Sequence, residues 1–134
     1  MSIKTASVPI GATFSPTGGT ATAITPLSTS NTDISAYVAT AGVMASTRTE
    51  VTFSGKVPKV SKTAPGGYSQ GRSSVLVKTP KVLANLQRTI NTASFSLAID
   101  PETTAAEVAA LKSLIVNMIT DADFDQFWLN QAVD

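Results

Sequence analysis

Hydrophobic and polar positions alternate with period two through the middle of the chain, then switch to a helical period near residue 100. In Thr49–Val57, Val51, Phe53 and Gly55 point one way while Thr52, Ser54 and Lys56 point the other. Ala64-Pro65-Gly66-Gly67-Tyr68 is a turn signal. Ser73–Lys81 alternates next, with Val75, Val77 and Thr79 opposite Ser74, Leu76 and Lys78. A further strand is predicted from Arg88 to Ile99, with Ala93, Phe95, Leu97 and Ile99 on one face and Arg88, Ile90, Thr92, Ser94 and Ser96 on the other. One apolar face and one Ser/Thr face with scattered Lys and Arg describe an antiparallel sheet covered on one side. Upstream, Ile3–Ile10 and Thr20–Leu27 read as two strands of a hairpin joined by Ser15-Pro16-Thr17-Gly18-Gly19. A disordered Ser/Thr tail is the competing reading of the first 30 residues.

Asp100-Pro101 has the form of an N-cap followed by proline at the first helical position. Thr104 with Glu107 offers a competing capping box one turn later. Val108, Leu111, Leu114, Ile115, Met118 and Ile119 then follow helical spacing over four to five turns. Thr120-Asp121-Ala122-Asp123 interrupts the pattern and caps a second, shorter helix, whose stripe is Phe124, Phe127, Trp128 and Gln131. The chain therefore reads as α+β: an N-terminal hairpin over 1–30, a main antiparallel sheet over 31–99 and two helices over 100–134. At 134 residues it fits one domain, long enough to bury roughly two-thirds of its unfolded surface. One amphipathic helix and a short one are little cover for such a sheet. A dimer, in which each subunit's helices lie across the neighbour's sheet, would supply the cover and occupy the edge strands.

Charge sharpens this picture. The net charge is +1, but from Arg48 to Arg88 eight bases face Glu50 alone, a balance of +7. From Thr89 onward seven acids face Lys112, a balance of −6. The asymmetry suggests one polyanion-facing surface and one that avoids polyanions; a solvated basic face that binds nothing is the bland alternative. Cysteine and histidine are both missing, which removes disulfides, thiolate metal sites and the commonest general base. Asp121, Asp123 and Asp125 imitate the start of a calcium loop, but Gln126 stands where glycine is required and Ala132 at the twelfth position. An enzyme is thus the least favoured class, and no cofactor or small-molecule substrate is expected. No apolar run approaches the length of a membrane span and no signal core follows Met1, so no membrane partner is expected either.

Three segments carry a family resemblance. They are Val75-Leu76-Val77-Lys78-Thr79-Pro80-Lys81-Val82; Ala93-Ser94-Phe95-Ser96-Leu97 running into Asp100-Pro101-Glu102 and the long helix; and the Thr49–Lys56 strand before a basic Gly/Pro loop. In order and length the chain resembles the coat proteins of single-stranded RNA bacteriophages, the leviviruses. The resemblance implies an N-terminal hairpin, a five-stranded antiparallel sheet and two C-terminal helices. It implies an interlocked dimer with a continuous ten-stranded sheet, assembled in the bacterial cytoplasm into an icosahedral virion shell whose sheet faces the RNA. It also implies that this face can bind a hairpin operator and repress translation. Carried over strand by strand, the RNA-facing residues are Thr52, Ser54 and Lys56; Ser74, Leu76 and Lys78; and Ile90 and Thr92 with Arg88 adjacent. The helix and dimer packing residues are Val108, Leu111, Leu114, Ile115, Met118, Phe124, Phe127 and Trp128. The chain departs from the pattern at Ile90, where better-known members carry a base-stacking Tyr, and in the short Val82–Arg88 loop. A tail or fimbrial subunit that assembles without nucleic acid, and a dimeric RNA-binding module that forms no shell, are the competing readings.

Overall fold

A computed structural model describes residues 4–12, 17–40 and 44–133. Five antiparallel strands form one sheet in sequential order: β1 (Ile24–Thr29), β2 (Asp33–Val38), β3 (Glu50–Lys56), β4 (Gly71–Val82) and β5 (Arg88–Ile99). Helices α1 (Ala105–Thr120) and α2 (Asp125–Asn130) follow, separated by a 3-10 turn at Ala122–Phe124. The chain divides into two compact units, Gly19–Pro101 and a second drawn from both ends, up to Gly18 and from Glu102 onward.

In the sheet unit, the alternation read from the sequence becomes rows across the strands. Directly opposed residues of an antiparallel pair share a face. One row is Ala36, Val51, Val77 and Ala93; the next is Ile34, Phe53, Val75 and Phe95. Ala36 and Val51 are the buried apolar residues among those described. The second row is less covered: Ile34 is 42% exposed, Phe53 38% and Phe95 37%. This apolar face is dry at its centre and half-wet along its aromatic row.

Strands β3, β4 and β5 lie where the pattern predicts them. The first hairpin does not. Residues 4–12 hold no strand; Ile3, and Ser15 and Pro16 of the predicted turn, lie outside the described residues. The strand expected at Thr20–Leu27 begins at Ile24 and pairs forward with β2 instead. Pro9 is one physical reason, since it has no N–H for a ladder. Strand β2 lies outside the predicted strands, although Ile34, Ala36 and Val38 alternate with Asp33, Ser35 and Tyr37. Pro26 is accommodated on edge strand β1, where the register shifts between Pro26 and Ser28. The Ala64–Tyr68 turn forms as expected, with Gly66 and Gly67 at φ 71° and 81°, a region costly for residues with a side chain.

In the terminal unit, helix α1 starts at the later of its two candidate caps. The Thr104 hydroxyl accepts from Glu107 N at 3.3 Å, and Glu107 Oε2 accepts from Thr104 N at 3.2 Å. This reciprocal pair satisfies two backbone N–H groups at the helix start. The Asp121 carboxylate accepts from Asp123 N at 2.9 Å and so opens the turn before α2. Val108, Leu114, Ile115, Met118, Phe124 and Phe127 are half-buried, whereas Leu111 is 47% and Trp128 48% exposed. Phe127 and Trp128 meet edge to face at 4.9 Å, and the indole N–H donates to Met118 O at 2.9 Å. Gln131 does not extend the stripe; it is the left-handed cap that ends α2, at φ 55°.

The N-terminal segment is held by these helices. Asn117 is the buried polar residue of the described chain, and its amide donates to Pro9 O and Ala12 O at 3.0 and 3.1 Å. Ser7 donates twice to Asp123 Oδ2, from N at 3.3 Å and Oγ at 3.2 Å. Replacing Asn117 by Ala strands two carbonyls and is expected to cost about 2 kcal/mol, the scale of an unmet buried polar group. Chemical denaturation should register that loss, and hydrogen exchange should rise across residues 4–12. Trp128→Phe keeps the ring contact but drops the bond to Met118 O, for an expected cost of about 1 kcal/mol. Trp128→Ala should cost about 2–3 kcal/mol, less than a fully buried aromatic because half of this ring is exposed. Equal unfolding midpoints for the two Trp128 variants would contradict the assigned ring contact.

Candidate nucleic-acid interface

The face opposite the aromatic row is polar, and the strand register decides which of its residues meet. Thr52 opposes Leu76, which opposes Ser94. Ser54, Ser74 and Ser96 form the next row, and Lys56, Arg72 and Ala98 the one beyond. Towards the other end, Glu50, Lys78 and Thr92 align, followed by Pro80 with Ile90 and Val82 with Arg88. All nine residues assigned to this face from the sequence therefore share it. Lys56, Lys78, Arg88, Ile90 and Thr92 are exposed, while Thr52, Ser54, Ser74 and Leu76 are half-buried.

The cations are not spread evenly over the face. Lys56 and Arg72 flank a depression of about 360 Å³ together with Ser54, Ser74 and Ser96. Lys78 and Arg88 flank another of about 340 Å³, with Arg48, Glu50, Pro80 and Ile90. Arg72 and Lys78 are six positions apart on β4, about 20 Å along an extended strand. A band of hydroxyls, centred on Thr52, Ser74, Ser94 and Ser96, separates the two cationic ends. Such an arrangement offers point charges for phosphates at both ends and hydroxyl donors and acceptors between them.

Register adds residues to this face. Arg72 has the parity of Ser74 and lies one position ahead of the strand predicted from Ser73. Asp33 opposes Ser54 and accepts a hydrogen bond from its hydroxyl, so Ser54 is committed to a protein partner. Tyr37 opposes Glu50 and brings an aromatic ring to the polar face. Arg48 lies over that ring, 4.7 Å from its centroid, and its Nε donates to Glu50 Oε1 at 3.2 Å. Period-two alternation contains the signal for Arg72 and Tyr37. The Arg48–Tyr37 pairing needs the β2–β3 register.

Among the described residues, no cluster of three His, Cys, Asp or Glu side chains is placed to hold a metal ion. No helix among them is long and apolar enough to cross a membrane.

No protein-family model matches the chain, and no curated protein does. Solved structures do. The virus-like particle of bacteriophage GQ-907 matches with a TM-score of 0.83 and 29% identity, over 99% of this chain and 100% of that one. The virus-like particle of bacteriophage AVE019 matches in fold, with a TM-score of 0.62 at 12% identity, over 87% of this chain and 91% of that one. Five antiparallel strands followed by two C-terminal helices are thus shared along the whole chain with a particle-forming phage subunit. The fold is that of a bacteriophage coat protein, consistent with the RNA-phage resemblance carried by the strands and the long helix.

Proposed function

We propose that this chain is the coat protein of a single-stranded RNA bacteriophage. It dimerises and assembles into an icosahedral shell around the genome, with the polar face of the sheet turned towards RNA. The observation that carries the reading is the full-length likeness to a phage virus-like particle at 29% identity, on a sheet whose polar face bears cations at both ends.

Two features of the sheet support the dimer. Strand β5 is twelve residues long, lies at the edge and is exposed from Arg88 to Ser96. An open edge of that length is a template for another strand. Pairing it with the same strand of a second copy gives a continuous ten-stranded sheet and a self-complementary two-fold contact. The half-exposed row of Ile34, Phe53 and Phe95 is the surface that a partner's helices, led by Leu111 and Trp128, would cover. Assembly takes place in the host cytoplasm, and the product is the virion capsid. Lys56, Lys78 and Arg88 contact phosphates, while Thr52, Ser74 and Thr92 contact sugars or base edges. A hairpin operator would occupy this same face and repress translation from there. No enzymatic step is assigned to any residue.

Expression of the chain alone in bacteria, followed by negative-stain microscopy and absorbance at 260 and 280 nm, tests the reading. Closed uniform particles with nucleic-acid absorbance are expected. Filaments, or small soluble species free of RNA, would overturn it in favour of a tail-type subunit. A second test targets the face itself. Lys56→Ala combined with Lys78→Ala should leave dimerisation intact and lower the RNA content of particles. It should also reduce the slope of log affinity against log salt by about 1.4, at roughly 0.7 per phosphate contact on single strands. An unchanged slope would remove both lysines from the interface.

A further inference from the structure

The geometry points to a preformed nucleobase-stacking site at one end of the polar face, built from Arg48 and Tyr37. It rests on the RNA reading above and specifies how an unpaired base would be held. Arg48 lies just ahead of β3 and is fixed from two directions. Its guanidinium lies over the Tyr37 ring at 4.7 Å, within the range of cation–π attraction. Its Nε donates to Glu50 Oε1 at 3.2 Å, a charge-assisted bond. Tyr37 and Glu50 are themselves locked opposite each other by the β2–β3 ladder. The Arg48 side chain is 22% exposed, which is little for a long basic residue near a surface.

This restraint matters for recognition. Ordering a rotamer-rich side chain opposes binding, and here the order exists before any ligand arrives. Unpaired bases stack on guanidinium planes as they do on aromatic rings. The adjoining depression of about 340 Å³ is bordered by Arg48, Glu50, Lys78, Arg88 and Ile90. Ile90 is 59% exposed and supplies an apolar wall without a π-face. Lys78 and Arg88 add two positive charges where the base's own phosphates would lie. The charge of Glu50 is matched by Arg48, so the acid does not turn the site against a polyanion. The flat surface at this end is thus the Arg48 guanidinium, ahead of β3, held across the register by Tyr37 of β2.

The test compares a short unstructured RNA oligonucleotide with an abasic oligonucleotide of equal length and charge, by fluorescence anisotropy. It uses the full-length protein below its assembly concentration. The unmodified protein should bind the base-bearing strand about tenfold tighter, the scale of one stacked base. Arg48→Lys keeps the charge and loses the plane, so it should lose most of that tenfold preference through weaker binding of the base-bearing strand. Tyr37→Leu should do the same, because Arg48 then loses the ring that holds it. Undiminished binding of the abasic strand shows that each variant is folded. If Arg48→Lys retains the preference, or the unmodified protein never shows it, the stacking site is wrong while the RNA reading stands. If the unmodified protein binds neither strand, the RNA reading fails and the site fails with it.

Discussion

A sheet with one apolar and one polar face must have the apolar face covered, and the design of this chain follows from that constraint. Burying a Phe side chain contributes about 1.5–3 kcal/mol, yet Phe53 and Phe95 stay more than a third exposed, as does Ile34 beside them. The dry centre consists of Ala36 and Val51, two small residues. Much of the stabilisation available to the aromatic row is therefore left unused. The same constraint defines the other face. A slip of one residue in any strand would carry its apolar set to the polar side, so burial on one face fixes which hydroxyls and cations the other presents.

The polar face gains its character from where charge is concentrated. Lys56 and Arg72 mark one end, Lys78 and Arg88 the other, and uncharged hydroxyls lie between. Two acids belong to the face as well. Asp33 holds the Ser54 hydroxyl and Glu50 holds Arg48, so each is matched inside the protein rather than presented as a bare negative charge. A basic face with internally matched acids suits the polyanion proposed as its partner while keeping some side chains in fixed orientations.

The terminal unit obeys a different rule, the satisfaction of backbone groups. The Thr104–Glu107 pair meets N–H groups at the start of α1, and Asn117 meets two carbonyls of the N-terminal segment. Asn117 is a buried polar residue well inside an apolar helix face, a placement that costs free energy unless its amide is bonded. Its two carbonyl partners tie the first residues to the helices. The first hairpin of the sheet lies downstream of the expected one, at β1 and β2.

Alternation alone determined the strands from residue 49 to residue 99, because a half-buried strand imprints its period on the sequence residue by residue. Helical spacing did the same for α1, although only the structure chose Thr104 between its two candidate caps, and the Asp121 cap marked the turn that precedes α2. The residues of the polar face were legible for the same reason, since parity within a strand is a local property. What the sequence did not contain was who stands opposite whom. The Asp33–Ser54 bond, the Arg48–Tyr37 stack and the Asn117 clamp join residues 21, 11 and more than 100 positions apart. Each depends on register or packing, which arises only when separate elements meet, and so only the tertiary structure decided them.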